Sequence, residues 1–425
     1  MRILIATDAF PPTSGGSGWS TYELAKGLRT AGHEIHVVRT YSERDPVPET
    51  YDGFAVTGFP AFAPRVPFVR NYVRNERLYQ RLSTYLARLI EREHIDLIHA
   101  QHVLTGPPSV SAAKRAGIPS VCTVRDYWPL CYWSDVLADP EAGSFCPGCS
   151  AAAMTRCLRP RTGVAFPLTL PAIPYMRANL RRKQAGIADA GAIIAVSHYV
   201  ANALRERSPV LANSRIDVIP NGVDVSAVLA AVDAEPRPMS GPYALFVGKL
   251  AKNKGAGFLV PAAARARLQM PVVVIGDGPE RAAIEKAASA ARCDFSFPGW
   301  LDRRDVFRWL RHATLLMFPS TWPEPLSRVL IEASALSVPI AAMSTGGTSD
   351  IILPDETGLL STTVDDFSKD IARLAADGSL RARLGTAARK RVESTFDLPI
   401  VIERTDRLYH ELVSTTATRN QNAIA

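Results

Sequence analysis

Two carboxylates, Glu324 and Glu332, stand with seven residues between them behind the apolar run Leu315-Leu316-Met317-Phe318 and the breaker Pro319. The run reads as a buried strand, and Pro325 suits the first position of a helix whose apolar face is Leu326, Val329, Leu330 and Ala333. Such a helix start would turn the backbone N–H groups of Leu326 and Ser327, with the positive end of the dipole, toward a phosphate. Glu332 would lie about 10 Å further along the axis, where it could hydrogen-bond a ribose diol, while Glu324 in the loop faces a sugar. Lys249 and Lys254 flank the start of a second predicted helix, 255–268, and are cations suited to charge building on a leaving phosphate. Gly15 and Gly16 lack side chains and would let backbone approach a diphosphate closely. Each feature also has a plain reading: surface glutamates on an amphipathic helix, solvated lysines beside another, and a flexible Gly-Gly-Ser-Gly turn.

A second group of reactive side chains is the cysteine cluster. Four of the six cysteines, Cys131, Cys146, Cys149 and Cys157, fall within 27 residues. Cys146-Pro147-Gly148-Cys149 is a CxxC knuckle, and four thiolates match a closed structural zinc site. The spacing to Cys131 and Cys157 is looser than in a standard ribbon. Free structural thiols and a redox or iron–sulfur centre therefore stand beside zinc as alternatives.

These residues fall into a larger pattern that resembles the retaining family 4 glycosyltransferases of the GT-B fold. Val247-Gly248-Lys249-Leu250…Lys254-Gly255 is similar to the family's Gly-Arg-Leu…Lys-Gly, with Lys249 in the arginine position. Gly276-Asp277-Gly278-Pro279-Glu280, Gly299-Trp300, Pro319-Ser320, the Glu324…Glu332 stretch, Gly346-Gly347 and Glu356-Thr357-Gly358 follow in the family's order. Upstream, Asn221-Gly222-Val223-Asp224 resembles the hinge-side Asn-Gly-Val-Asp, and Pro11-Pro12…Gly15-Gly16 the N-terminal glycine loop. The resemblance covers roughly 350 residues. It implies an α/β protein of two Rossmann-like doubly wound domains facing across a cleft. It also implies a nucleotide-diphosphate sugar donor bound by Gly15, Gly16, Gly248, Lys249, Lys254, Gly299, Trp300, Glu324, Leu326, Ser327 and Glu332, with Trp300 bordering the base or packing in the core. Glu324, Lys249 and Lys254 would be the catalytic group, with Arg125 as a further member. No cofactor would be needed, since the donor phosphate can take the acceptor's proton and the anomeric configuration is retained.

The sequence departs from the family in three places. Arg125-Asp126 stands where many members have His-Asp, and an arginine cannot act as a general base. It could bind a donor phosphate or an anionic acceptor group instead, so Arg125, Asp126 and His102 are the acceptor-side candidates, with His99 near the same strand end. Leu326-Ser327 replaces the commoner Phe-Gly. Lysine at 249 offers a point charge in place of a bidentate fork.

The elements that must position these groups alternate strand and helix, as in a doubly wound protein. Arg2–Ala6, Tyr22–Ala31 and Glu34–Val38 form a first βαβ unit, and ligands of such sheets sit beyond the carboxyl ends of the strands. The predicted layout is an acceptor-side domain over 1–220 with a Cys-rich insertion at about 131–160, and a donor domain over 221–395. A helix over 396–413 would return to the first domain, followed by a flexible tail at 414–425. The stretch 234–242 has linker composition. At 47% hydrophobic and 21% charged residues the chain reads as an ordinary globular protein, with no membrane span and no signal peptide. The cytosol is the expected compartment, which disfavours disulfides.

The net charge of +8 is uneven, with 25 Lys/Arg against 19 Asp/Glu in residues 1–225. Arg65, Arg70, Arg74, Arg77, Arg81, Arg88 and Arg92, and again Arg177, Arg181, Arg182 and Lys183, make either a solvated helix face or a peripheral contact with anionic lipid at the inner face of the membrane. No nucleic-acid reader motif is present. The leading expectation is a retaining glycosyltransferase acting on a glycan or lipid-linked acceptor in cell-surface polysaccharide or glycoconjugate synthesis. A sugar-nucleotide epimerase of the same fold and a non-catalytic nucleotide-binding scaffold are the rivals.

Overall fold

A computed structural model of the chain describes residues 1–12, 14–42, 50–146, 148–233 and 235–424. Pro147 of the CxxC knuckle, Ala234 of the expected linker and Ala425 of the expected tail lie outside the described residues. The chain divides into two compact units. The first takes residues 1–136, 146–222 and 398–425, and the second takes 137–145 and 223–397.

The strands are β1 (Arg2–Thr7), β2 (Glu34–Tyr41), β3 (Thr50–Tyr51), β4 (Phe54–Pro60), β5 (Leu97–Ala100), β6 (Ser120–Val124), β7 (Leu137–Asp139), β8 (Ser144–Phe145), β9 (Ala192–Ala195), β10 (Ile216–Val218), β11 (Ala244–Val247), β12 (Val272–Ile275), β13 (Phe295–Gly299), β14 (Leu315–Phe318), β15 (Ile340–Met343) and β16 (Leu359–Ser361). The first unit holds a sheet in the order β10-β9-β6-β5-β1-β2-β4-β3, parallel except for the β3–β4 edge pair. In the second unit the order is β13-β12-β11-β14-β15-β16, all parallel.

Helices cover both faces of such sheets, so the central strands are apolar at every position instead of alternating. Ile3, Leu4, Ile5 and Ala6 of β1 are all fully buried, as are Leu315, Leu316 and Met317 of β14. In each sheet the chain runs outward in one direction and then returns to run outward in the other. The reversal falls between β1 and β5 in the first unit and between β11 and β14 in the second. Loops leaving the two strands diverge there and leave a crevice at their carboxyl ends.

The last helix, Leu398–Ile424, packs Val401, Ile402, Leu408, Tyr409 and Leu412 into the core of the first unit. It runs on past 413, through the polar stretch for which the sequence predicts a flexible tail. The arginine-bearing helix Leu78–Glu93 corrects one expectation. Its apolar stripe, Leu78, Leu82, Leu86, Leu89 and Ile90, is buried against β1, β5 and the helix Gly106–Ala116, so it has no apolar face to offer a membrane. Lys183 is also buried, facing inward from the helix Ile173–Ala188. No helix among the described residues is long and apolar enough to cross a membrane.

Candidate functional site

At the crevice of the second unit, the loop after β11 meets the loop after β14. Lys254 Nζ lies 2.6 Å from Glu324 Oε1, and the Ser320 hydroxyl donates to the same oxygen at 2.7 Å. The Lys254 ammonium also sits 4.6 Å from the centre of the Trp322 ring, a cation–π distance. Glu324 is buried while Lys254 keeps 29% of its side chain exposed, so the pair presents its cation outward.

Glycines make this convergence possible. Gly255 is left-handed (φ +67°), and a Cβ there would stand 1.8 Å from the Pro319 carbonyl oxygen. Gly346 (φ +56°) presses on the backbone of Pro323 and Glu324, and the Gly347 N–H donates to Glu324 O at 2.6 Å. A side chain at either position would force the two loops apart.

Around this pair, Gly248 donates its N–H to Ile275 O at 3.0 Å, and Gly276 to Gly299 O at 2.8 Å. These bonds hold the ends of β11, β12 and β13 level. Lys249 is exposed beside Gly248. Trp300 is 78% exposed after β13, which rules out core packing for it and leaves an aromatic face at the strand ends.

The Glu332 helix differs from the expectation. It spans Arg328–Ala335, with Ser327 extended at its N-cap (φ −80°, ψ 117°), so Pro325 and Leu326 precede the helix. Anchoring of Glu324 by Lys254, Ser320 and Gly347 keeps the loop extended until Ser327. The first helical N–H groups are therefore those of Arg328 and its successors, three residues later than Pro325 implied. Glu332 is buried, and its Oε1 accepts from Arg328 Nε at 3.1 Å and Arg303 Nη2 at 3.2 Å. The sequence reading missed both arginines. The only available signal for Arg328 was its position four residues before Glu332.

In the first unit the crevice lies between the ends of β1 and β5. Asp8 is half-buried there; Leu104 N–H donates to its Oδ2 at 3.0 Å, and desolvation pushes its pKa up to about 7. His102 Nδ1 accepts the Asp8 N–H at 3.3 Å and lies 3.0 Å from the Thr7 hydroxyl. With Nδ1 accepting, the proton falls on Nε2, which is buried with no hydrogen-bond partner among the described residues. Burial, aided by the nearby Arg125 charge, lowers the His102 pKa to about 3. Asp126 caps the turn by accepting Trp128 N–H at 2.7 Å, and burial raises its pKa to about 6. Asp8 was not singled out from the sequence, although its place directly after β1 was a signal.

Arg125 donates through Nε to Asn221 Oδ1 at 2.8 Å, and its Nη1 reaches the side-chain oxygen of Gln101. These contacts tie the ends of β5 and β6 to the segment after β10. His99 is enclosed, with one ring nitrogen against the Tyr409 hydroxyl and the other 2.6 Å from Thr123 Oγ1, so it does not reach the crevice. Gly15 is the N-cap of the helix Gly16–Thr30 and makes no side-chain cap; a Cβ added to it would meet nothing within 4 Å. The glycine that the chain itself requires here is Gly18, in the first turn of that helix, where a Cβ would fall 2.4 Å from that of Ser14.

The cysteines are close but are not gathered into one set. Cys131 and Cys149 hydrogen-bond to each other, which lowers the Cys131 pKa to about 7 and raises that of Cys149. Cys146 Sγ turns to Gly148 O at 3.0 Å and Cys157 Sγ to Met154 O at 3.3 Å. Among the described residues no three His, Cys, Asp or Glu side chains are arranged to hold a metal ion.

The comparisons agree with this geometry. Residues 14–227 match the model described as Glycosyltransferase Family 4, and residues 231–391 match Glycosyl transferases group 1. The chain is 30% identical over 258 residues to alpha-maltose-1-phosphate synthase of Mycobacterium tuberculosis, covering 54% of this chain and 65% of that protein. Sucrose-phosphate synthase from Thermosynechococcus elongatus superposes with a TM-score of 0.71 at 20% identity, over 98% of this chain and 100% of its own. Anabaena Alr3699/HepE in complex with UDP superposes with a TM-score of 0.65 at 18% identity, over 97% and 100%. With two doubly wound units of the GT-B fold and a family model that spans half its length, the chain belongs to glycosyltransferase family 4, whose members are enzymes that transfer sugars.

Proposed function

We propose that this chain transfers a sugar, with retention of anomeric configuration, from a nucleotide-diphosphate sugar to a glycan or lipid-linked acceptor in cell-surface glycan synthesis on the cytosolic side. The observation that carries the reading is the Lys254–Glu324 pair at the point where the order of the second sheet reverses, with exposed Lys249 and Trp300 on the same strand ends. Lys254 and Lys249 hold the diphosphate and stabilise the charge it gains as its bond to the anomeric carbon breaks. The acceptor oxygen bonds to that carbon from the same face, and its proton passes to the departing phosphate oxygen. Glu324 orients the sugar and Trp300 borders the base. Glu332, set by Arg303 and Arg328, is assigned to the ribose side. Gly15 and Gly16 offer open backbone to the diphosphate, and His102 with Asp8 and Asp126 lines the acceptor side.

The UDP in the Anabaena structure supports a uridine nucleotide as the first donor to try. In a thermal-shift series with UDP, GDP and ADP, one nucleotide at about 100 times its dissociation constant should add roughly 2.7 kcal/mol of stability. No shift with any of the three, and no transfer from their sugar conjugates, would overturn the reading.

Zinc is a separate part of the proposal. To close on one ion, Cys146 and Cys157 would have to turn away from their backbone acceptors and join Cys131 and Cys149. About one zinc per chain in protein prepared under reducing conditions would support that rearrangement, and metal-free protein would remove it.

A further inference from the structure

Ten large apolar side chains stand out as exposed among the described residues, and seven of them fall in two short segments of the first unit, 62–72 and 163–170. Val164 is 102% exposed, Leu168 85%, Val66 59% and Val69 46%. Soluble surfaces carry isolated apolar residues, but a concentration of this kind marks a contact. The segments are neighbours in space. Phe68 from one and Phe166 from the other pack against the same small core of Tyr132, Met154, Leu158, Met176 and Leu180. Arg182 also pairs with Glu76 at 2.8 Å and ties the helices behind them together.

The sequence of these segments and their flanks is rich in arginine and poor in acids. No Asp or Glu occurs between Asp52 and Glu76, or between Glu141 and Asp189. Exposed Arg65 and Arg70 stand among the apolar residues of the first segment, while exposed Arg156 and Arg159 precede the second segment and Arg177 and Arg181 follow it. The backbone is built to present the tip. Residues 162–176 are uncharged, and Pro167, Pro171 and Pro174 break them into single turns, Gly163–Ala165, Phe166–Thr169 and Leu170–Ala172.

From these observations we infer that segments 62–72 and 163–170 form a docking surface that seats this chain on an anionic lipid bilayer. Val164 and Leu168 enter the acyl boundary, and the arginines engage lipid phosphates. Val164 and Leu168 project almost bare, which fits a fluid apolar phase better than a shaped protein pocket. Glu76 and Asp135 nearby are each paired with an arginine, and the exposed Arg65, Arg70, Arg156, Arg159, Arg177 and Arg181 that remain select a negatively charged surface. The inference adds a partner to the reading above and does not depend on donor binding.

The test is flotation of the full chain with vesicles of phosphatidylcholine alone and of phosphatidylcholine with phosphatidylglycerol. The expected result is binding to the anionic vesicles that weakens with added salt, and a loss of at least about tenfold in Val164→Asp/Leu168→Asp. Both positions are exposed, so the variant should keep its melting temperature and its thermal shift with nucleotide. Failure of the parent chain to bind anionic vesicles would overturn the inference, as would undiminished binding by the variant. Self-association of the parent that the variant abolishes would assign the surface to a second copy instead.

Discussion

The two crevices occupy the same topological place and handle charge in opposite ways. At the carboxyl ends of β1, β5 and β6, Asp8, His102 and Asp126 are half-buried, and desolvation shifts each toward its neutral form. At the β11–β14 ends, Lys254 is paired with Glu324 and partly open, with Lys249 exposed beside it. The location of a site in a doubly wound sheet follows from strand order, whereas its chemistry follows from how much water the loops admit. A crevice of partly desolvated donors and acceptors suits hydroxyl groups, and one with accessible cations suits a diphosphate.

The comparison can be broken most directly at the cations. Lys249→Ala/Lys254→Ala should lower kcat/KM by about 10²–10³, the usual effect of losing a preorganised charge-stabilising donor. Near-normal turnover in this variant would mean that the second crevice does not hold the diphosphate.

Glu332 and Glu324 should separate by stability as well as by activity. Glu332→Ala leaves Arg303 and Arg328 without their shared carboxylate and should cost about 3 kcal/mol of unfolding free energy along with nucleotide affinity. Glu324→Ala should mainly reduce turnover, with nucleoside-diphosphate binding kept. Denaturant melts and nucleotide titrations of both variants check this, and equal behaviour would remove the division of roles.

The glycines offer a test of geometry. Gly255→Ala places a methyl group against the Pro319 carbonyl in a left-handed conformation and should destabilise the second unit by more than about 2 kcal/mol. Gly15→Ala meets open space and should leave the melting temperature close to that of the parent, so any loss of donor affinity there would report on the ligand itself.

A final test concerns Asp8. Its folded-state pKa is raised from 3.8 to about 7, so its contribution to stability is full below pH 4 and is lost as pH rises through about 7. Asp8→Asn escapes that loss. Its melting temperature relative to the parent should therefore climb between pH 4 and pH 8 and level off above. A difference that does not change with pH would mean that Asp8 is not held neutral by its surroundings.

Much of the donor side was legible in the residues. Leu315–Phe318 and Ser120–Val124 are strands with the limits that their apolar runs predict, because burial on both faces of a parallel sheet leaves a signal within five residues. The helix after β14 was misplaced at its start, since Pro325 fits a first turn by local preference while distant contacts hold its loop extended. The basic stripe of Leu78–Glu93 was legible as amphipathic, but periodicity does not tell whether lipid or protein covers an apolar face.

By itself the sequence determined the strand and helix order, the placing of lysines, carboxylates and glycines at strand ends, and a stretch of 47 residues without an acid. These depend on neighbours along the chain, which short-range sterics and hydrophobic periodicity read directly. Only the tertiary structure decided that Lys254 pairs with Glu324 across 70 residues, that Arg303 reaches Glu332 across 29, and that Arg125 is joined to Asn221 across 96. Such partners are chosen by the lateral order of parallel strands, and that order is set by how the helices close over both faces of the sheet.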